Sequence, residues 1–153
     1  MTLRRMLKER FKIIAASYLV LMRDDEVLLL RRFNTGYQDG RYSLPAGHVE
    51  AGETALEAVI RETKEESNIV LRKEDVRMAH LMHRVSDLDA SVRLDIFFVA
   101  EHYAGTVAIG EPDKCDDLSW FPIDQLPENT IPYVRHALEC IRRGEIYSEL
   151  GFE

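Results

Sequence analysis

Cysteine, positive charge and long apolar runs are all scarce in this sequence. Two of its 153 residues are cysteines, Cys115 and Cys140, and neither stands in a CxxC pair or near histidines at the spacing of zinc ligands. A structural zinc site is therefore not expected. Because no secretory signal is evident, we expect the two thiols to be reduced and partly buried rather than joined in a disulfide.

Basic residues are outnumbered by acidic ones. Lysine and arginine number 20 against 27 aspartates and glutamates, which gives a formal net charge of −7. Broad, sequence-independent binding to nucleic acid needs a basic surface, so we expect no nucleic-acid partner. A small anionic substrate is compatible with this charge if the protein recruits a cation to meet it.

The main apolar run is Ile13–Met22, which is about half of the roughly 20 residues that a membrane span requires. The basic residues before it imitate a signal peptide (Arg4, Arg5, Lys8, Arg10 and Lys12). The charged stretch Arg23–Glu26 follows, however, where a signal peptide would have a cleavage site of small residues. We interpret the run as a buried strand, with a targeting segment as the alternative. A cytoplasmic location without a membrane partner is expected.

The length suits one domain spanning residues 1–153, and a hydrophobic fraction of 46% is ordinary for a globular protein. Apolar patterning predicts six strands and two principal helices. The strands are Ile13–Met22, Val27–Leu30, Tyr42–Leu44, Met78–Val85, Ser91–Ala100 and Leu118–Phe121, and the helices are Thr54–Ser67 and Thr130–Arg143. This mixture predicts an α/β fold in which a sheet lies between helices.

Acidic residues are concentrated around the first predicted helix. Thr54 and Glu57 match the capping box that begins a helix. Further along, Glu62, Glu65 and Glu66 stand at i, i+3 and i+4, so that their side chains share one helix face. Like charges at this spacing repel and weaken a helix, unless a hard divalent cation lies among them. A solvated acidic face is the alternative interpretation.

The segment from Gly47 to Ile69, GHVEAGETALEAVIRETKEESNI, resembles the Nudix box. That motif is a glycine, five residues, a glutamate, seven residues and then Arg-Glu-apolar-x-Glu-Glu-x-Gly-apolar. The matching positions are Gly47, Glu53, Arg61, Glu62, Glu65, Glu66 and Ile69. Thr63 stands where the motif has an apolar residue and Asn68 where it has a glycine, but no carboxylate of the motif is lost. A Leu-Pro lead-in and the segment Trp120–Pro122 also resemble the family.

The resemblance implies a Nudix-type α/β/α sandwich with a mixed sheet, and a metal-dependent hydrolase of nucleoside diphosphate compounds. It implies that Mg²⁺ or Mn²⁺ is held by Glu62, Glu65 and Glu66 with the carbonyl of Ala46. The catalytic set it implies is Glu53, Arg61, Glu62 and Glu66. Arg61 would orient its acidic neighbours. The general base is Glu53, Glu66 or a carboxylate outside the box.

An acidic cluster near the predicted strand Leu118–Phe121 supplies candidates for that outside carboxylate, namely Glu111, Asp113, Asp116 and Asp117. We hypothesise that at least one of them takes part, with a solvated acidic loop as the alternative. For substrate recognition, Arg31 and Arg32 are candidates to contact phosphate and Tyr37 to stack on a base. Their alternative role is to cover surface or core.

The expected substrate is a nucleoside triphosphate or a related nucleotide. ADP-ribose, nucleotide sugars and dinucleoside polyphosphates are alternatives, whereas the acidic net charge argues against capped RNA. Two other classes of protein stay open. One is a nucleotide-binding regulator without catalysis, although such proteins usually lose box glutamates. The other is a diphosphate isomerase, which neither cysteine supports because both lie outside the box. A homodimer would also fit this kind of protein.

Overall fold

A computed structural model describes residues 9–153, so that Arg4, Arg5 and Lys8 of the basic N-terminal stretch lie outside the described residues. Within these described residues the chain forms eight strands and two α-helices. The strands are β1 (Ile14–Arg23), β2 (Glu26–Arg32), β3 (Tyr42–Ser43), β4 (Ala46–His48), β5 (Val76–Val85), β6 (Val92–Ala100), β7 (Cys115–Pro122) and β8 (Tyr147–Leu150). The helices are α1 (Ala55–Ser67) and α2 (Pro132–Arg142), and a short 3-10 turn occupies Lys73–Asp75.

Strand β1 is the centre of the sheet. It pairs in parallel with β6 on one side and antiparallel with the short β4 on the other. β6 continues antiparallel to β5, which pairs in parallel with β8. At its far end β1 turns into β2 through a hairpin, and β2 then carries β3 and β7 as antiparallel neighbours. The mixed sheet therefore has two parts, which are joined by the β1–β2 hairpin. One part contains β4, β1, β6, β5 and β8, and the other contains β3, β2 and β7.

The central strands are apolar on both faces because each face is covered by a helix. One face packs against α2, where Tyr18 of β1 and Phe97 of β6 meet Val134 and Leu138. The opposite face packs against α1, and its core includes Leu19, Phe98 and Val59. The predicted sandwich of a mixed sheet between helices is confirmed.

Helix α1 begins and ends as its sequence predicts. The Thr54 side chain accepts from the amide of Glu57, whose side chain accepts from the amide of Thr54, so that the capping box is complete. At the other end Asn68 adopts the left-handed conformation (φ 62°), and its amide donates to the Lys64 carbonyl. Asn68 thus fills the role of the glycine in the motif, while Thr63 is fully buried.

Two strands were not predicted from the sequence, β4 and β8. Both are short, and each is held by pairing with a strand distant in the chain rather than by its own alternation of polar and apolar residues. The predicted strand Leu118–Phe121 extends to Cys115–Pro122, and the predicted helix Thr130–Arg143 is shorter, at Pro132–Arg142. Both cysteines are buried and unpaired, as expected. In the described part of the chain, neither helix is long and apolar enough to cross a membrane.

Candidate active site

An open cleft of about 590 Å³ lies where α1, β4, the end of β2 and the segment before β7 meet. Its walls bring together the box residues with residues from three other parts of the chain. The lining includes Arg32, Asn34 and Thr35 after β2, Ala46, Gly47 and His48 of β4, Arg61, Glu62, Glu65 and Glu66 of α1, and Glu111, Lys114 and Cys115. The cleft is strongly acidic on the α1 side.

Gly47 allows α1 to approach β4 closely. A Cβ atom at this position would lie 2.1 Å from Cδ of Glu62, which is far inside van der Waals contact. The glycine that begins the box is therefore required here by space rather than by an unusual backbone angle. With no side chain at Gly47, the Glu62 carboxylate lies directly against the backbone of β4.

Arg61 organises the carboxylates on its side of the cleft. Its guanidinium donates two hydrogen bonds to Glu53, from Nη2 at 2.7 Å and from Nε at 3.0 Å, and one from Nη1 to Glu62 at 2.8 Å. A third carboxylate, that of Glu65, lies 3.5 Å from Nη1. These bonds lower the pKa of Glu53 to about 2. The arginine thus fixes Glu53 as an ionised carboxylate with a defined orientation.

Glu62 and Glu66 carry charge that the protein does not fully balance. Burial raises the pKa of Glu62 in spite of Arg61, and burial together with the charge of Glu62 raises the pKa of Glu66 well above its ordinary value. The only hydrogen bond that the Glu66 side chain accepts within residues 9–153 comes from the Ala46 amide, at 3.3 Å. Two adjacent carboxylates in such a position favour the approach of a cation.

The three box glutamates enter the same cleft, but their side chains do not converge on one point. Glu65 is 49% exposed and turns toward Arg61, whereas Glu66 turns inward to β4. Within the described residues, no group of three acidic, histidine or cysteine side chains is arranged to hold a metal ion.

Of the four acidic candidates outside the box, only Glu111 lines the cleft. The segment that carries it docks on the end of α1, where the Gly110 amide donates to the Glu66 carbonyl at 3.0 Å. Its charge is close enough to contribute to the raised pKa of Glu66. Asp116 pairs instead with Arg31 at 2.7 Å, and Asp117 accepts from the hydroxyl groups of Tyr42 and Ser119. Asp113 is exposed.

The candidate substrate-binding residues lie in two places. Arg32 lines the cleft, but its guanidinium also ties down the following loop by donating to the Tyr37 carbonyl (2.6 Å) and to the Thr35 hydroxyl (3.1 Å). Arg31 points to the other side of β2, toward Asp116, and does not line the cleft. Tyr37 does not line the cleft. Its ring lies beside the Arg32 guanidinium, and its hydroxyl is buried.

Comparison with known proteins agrees with this arrangement. The family model of the NUDIX domain matches residues 12–143, which is most of the chain. The chain belongs to the Nudix family. It is 30% identical over 112 residues to an ADP-ribose pyrophosphatase of Methanocaldococcus jannaschii, covering 71% of this chain and 62% of that protein. It is 38% identical over 117 residues to an NAD-capped RNA hydrolase of Pseudomonas entomophila, covering 74% of this chain and 38% of that protein.

Solved structures show the same Nudix fold. The structure of a MutT Nudix hydrolase from Burkholderia pseudomallei superposes with a TM-score of 0.77 at 26% identity, covering 84% of this chain and 98% of the other. The curated relatives are longer: this chain spans about two fifths to three fifths of their length.

Several residues that line the Nudix cleft were not singled out from the sequence, among them His48, Lys114 and Cys115. His48 is inside the box, next to the glycine that receives Glu62, and its position in the motif was the available signal. Lys114 and Cys115 reach the cleft only through the pairing of β7 with β2, where Cys115 lies opposite Arg32. No local pattern in the sequence indicates that pairing.

Proposed function

We propose that this Nudix protein hydrolyses a diphosphate linkage in a nucleoside diphosphate compound, with a divalent metal ion in the acidic cleft. The observation that carries the proposal is the pair Glu62 and Glu66, two adjacent and partly buried carboxyl groups that have a single arginine, Arg61, beside Glu62 and whose pKa values are raised by burial. Retaining such charge is unfavourable unless a positive partner binds.

The donors in the cleft fit Mg²⁺ or Mn²⁺. All of the candidate ligands are oxygen atoms, which these ions prefer: the carboxylates of Glu62, Glu65 and Glu66 and the carbonyl of Ala46. The Glu65 side chain is 49% exposed and would have to turn from Arg61 to join the other two. When bound, the metal would supply Lewis-acid polarisation of the phosphoryl oxygens and a lowered pKa for an attacking water.

The remaining residues would then position the metal ligands and the substrate. Arg61 fixes Glu62 while Glu53 holds Arg61 from the other side, so that Glu53 acts by positioning. Both oxygens of Glu53 are engaged, one of them also by the Glu50 amide at 2.8 Å, which leaves Glu53 poorly placed to take a proton. Arg32 and Lys114 are the cations in the cleft that could contact the phosphates.

Glu66 and Glu111 are the stronger candidates for the general base. Glu66 lines the cleft beside Glu62, where it could accept a proton from an attacking water. Glu111 is on a loop rather than on the helix, so that it can accept a proton without giving up a place among the helical ligands. We expect replacement of Glu111 by Gln to lower turnover while metal binding is kept.

We propose ADP-ribose or NAD as the first class of substrate and nucleoside triphosphates as the second. The names of the two curated relatives concern ADP-ribose and an NAD cap, compounds in which the nucleoside diphosphate carries a further sugar or nucleoside. This favours ADP-ribose or NAD over a nucleoside triphosphate, the substrate expected from the sequence. The cleft, at about 590 Å³ and open to solvent, has room for either class.

The test is product release from ADP-ribose, NAD, nucleotide sugars and the nucleoside triphosphates, with Mg²⁺ or Mn²⁺, followed by chromatography of the products. We expect metal-dependent cleavage at the diphosphate, which yields AMP from ADP-ribose and pyrophosphate from a triphosphate. Glu66→Gln should lower its rate about a thousandfold. Glu139→Gln, the same change at an exposed position of α2, is the matched control and should retain the native rate.

A nucleotide-binding regulator would give a different result. It would bind one of these compounds tightly and release no product with either metal after long incubation. That outcome, with native and Glu66→Gln proteins equally inactive, would reject hydrolysis as the function.

A further inference from the structure

Strand β8 lies at the edge of the sheet, far from the acidic cleft. It pairs in parallel with β5, and no other strand within residues 9–153 pairs with its second side. The cleft is built around α1, β4 and the end of β2. Because β1, β6 and β5 separate β4 from β8, a partner bound at the free side of β8 would not use the residues of the cleft.

The free side of β8 presents the backbone groups of Tyr147 and Glu149. The Leu81 amide of β5 donates to the Ile146 carbonyl at 2.9 Å, and Leu81 lies opposite Tyr147 in the register of the two strands. The N–H and C=O of one strand residue point to the same side, and those of the next residue point to the other. Ser148 therefore faces β5 with its backbone groups, whereas Tyr147 and Glu149 each offer an N–H and a C=O to a further strand.

This edge lacks the features that usually prevent two sheets from pairing. Proteins protect edge strands with lysine, proline or a bulge. The sequence of β8, YSEL, contains neither lysine nor proline, and no bulge interrupts its pairing with β5. Its apolar side chains are also accessible, since Ile146 just before the strand is 72% exposed and Tyr147 is 49% exposed. The edge is therefore open to another strand.

The two faces of β8 differ in character. Leu150 packs on the core beneath α2, and Ile146 and Ser148 share its face because side chains alternate along a strand. Tyr147 and Glu149 lie on the opposite face. A strand that joins this edge has to place apolar groups on the α2 face and a partner for the Glu149 carboxylate on the other.

A second copy of β8 meets both conditions in one antiparallel register. When a two-fold axis passes beside Ser148, each Tyr147 lies opposite the partner's Glu149 and each Ile146 lies opposite the partner's Leu150. Tyr147 and Glu149 are the residues with outward backbone groups, so each of these pairs forms two reciprocal hydrogen bonds. The apolar pairs meet on the α2 face, and no glutamate lies opposite another glutamate.

Other registers are less favourable. A shift of one residue places side chains of opposite faces beside each other. A shift of two residues places Glu149 opposite either the partner's Glu149 or the partner's Glu145, and like charges directly opposite each other destabilise a sheet. The strand is therefore self-complementary in a single register about a two-fold axis, which is the symmetry of an isologous dimer.

We propose that β8 is a dimerisation edge, to which a second copy of this chain adds its own β8 antiparallel in the register centred on Ser148. The sheet then continues from one protomer into its partner. The exposed Ile146 side chains extend the α2-side core across the interface. This association goes beyond the proposed hydrolysis and does not depend on it.

Sedimentation velocity over a concentration series tests the association without any substrate or metal. We expect the native chain to form a dimer with a Kd on the order of 10 µM, because two short strands bury a small area. A native chain that stays monomeric at about 100 µM would overturn the proposal.

Tyr147→Pro removes an intermolecular donor from each protomer but no hydrogen bond to β5, since this N–H points outward. It should raise the dimer Kd at least about tenfold. Tyr147→Glu should have a similar effect, because it places glutamate opposite the partner's Glu149, and adding Glu149→Lys should restore the native Kd. Phe33→Glu, the same kind of change at an exposed aromatic residue outside β8, is the matched control and should keep the native Kd.

Thermal unfolding shows whether each variant is folded, and Tyr147→Glu decides if Tyr147→Pro is not. A dimer Kd that Tyr147→Glu leaves unchanged would overturn the proposal. The two proposals fail separately. A dimer without turnover would reject hydrolysis alone, and turnover by a monomeric chain would reject the dimerisation edge alone.

Single cysteine variants test the register. In antiparallel pairs without hydrogen bonds between them, opposite Cα atoms are about 4.5 Å apart, which suits a disulfide. Ser148→Cys should therefore form a covalent dimer under mild oxidation. Tyr147→Cys and Glu149→Cys should not, because each is two residues out of register with its own copy in the partner. Equal cross-linking at all three positions would contradict the proposed register. The native chain is the control, since Cys115 and Cys140 are both buried.

Discussion

Two regions of this Nudix protein keep carboxylates away from water, and they balance the charge differently. On the α2 face, Asp95 is fully buried but has one arginine, Arg84, to itself. In the acidic cleft, Glu53, Glu62 and Glu65 share Arg61, and within residues 9–153 no basic side chain pairs with Glu66, which accepts from the Ala46 amide. The first arrangement is matched one to one and serves the folded state. The second carries surplus negative charge, which folding alone does not explain.

The two regions also differ in how the fold brings their charged groups together. The cleft carboxylates are neighbours on one helix turn, so the sequence itself forces them together. Arg84 and Asp95 are brought together only by the antiparallel register of β5 and β6, in which Arg84 lies opposite Arg93 and Met82 opposite Asp95. A short motif can encode a metal-binding face, whereas a buried ion pair between strands depends on the tertiary fold.

The largest effect is expected from removing one of the unbalanced carboxylates in the acidic cleft. Glu66→Gln should lower turnover about a thousandfold, because it removes both a ligand charge and a candidate base. The same variant should unfold at a higher temperature than the native protein in the absence of metal, since an amide is easier to bury than a carboxylate whose pKa is raised by burial. Steady-state rates and thermal unfolding measure the two effects. A variant that loses both activity and stability would contradict this reading of the cleft.

Breaking the buried ion pair between Arg84 and Asp95 should instead destabilise the protein. Arg84→Met is expected to lower the free energy of unfolding by about 3–5 kcal/mol, because it leaves the charge of Asp95 buried without a partner. The double variant Arg84→Met with Asp95→Leu should recover most of this loss. Urea unfolding measures both. If the double variant were as unstable as the single one, the loss would come from packing rather than from unpaired charge.

A smaller effect is expected where the helix approaches the sheet. Gly47→Ala places a Cβ against the Glu62 side chain, so Glu62 has to shift and turnover should fall about 10- to 100-fold. Stability should change little, because a flexible side chain can move. Gly144→Ala is the matched control. A Cβ at Gly144 would meet open space, but the φ of this residue is 73°. The variant should therefore lose about 1 kcal/mol of stability and retain the native rate. Equal rates for both variants would refute the steric argument.

The smallest expected effect concerns the start of α1. Thr54→Ala removes the side-chain acceptor for the Glu57 amide and should lower the free energy of unfolding by about 1 kcal/mol. Because the catalytic face begins two turns later, the rate at saturating metal should stay within about twofold of the native rate. A larger loss of rate would mean that the cap positions the cleft residues and does not only stabilise the helix.

Much of the fold could be predicted from the sequence where the signal is local. The apolar run of β1, the capping box and the carboxylate spacing of α1 each depend on neighbouring residues, and each has the predicted structure. β4 and β8 could not be predicted, because three or four residues carry no periodicity and their pairing partners are distant in the chain.

The candidate site follows the same rule. Gly47, Arg61, Glu62, Glu65 and Glu66 enter one cleft as the box implies, and their roles in metal binding and catalysis stay predictions. Arg31 and Arg32 look equivalent in the sequence, yet adjacent residues of a strand point to opposite faces, so only Arg32 lines the cleft. Arg84 Nη2 and Asp95 Oδ1 are buried without a hydrogen-bond partner within residues 9–153, and no pattern in the sequence indicates this.

The surplus charge of the cleft can be tested by thermal unfolding of chelator-treated protein as Mn²⁺ is added, for the native chain and for the double variant Glu62→Gln with Glu66→Gln. We predict that the native unfolding temperature rises with Mn²⁺ concentration in the manner of specific binding. The double variant should begin at a higher temperature and respond weakly. A native protein that is unaffected by Mn²⁺, or a double variant that responds equally, would contradict the assignment of a metal site to this cleft.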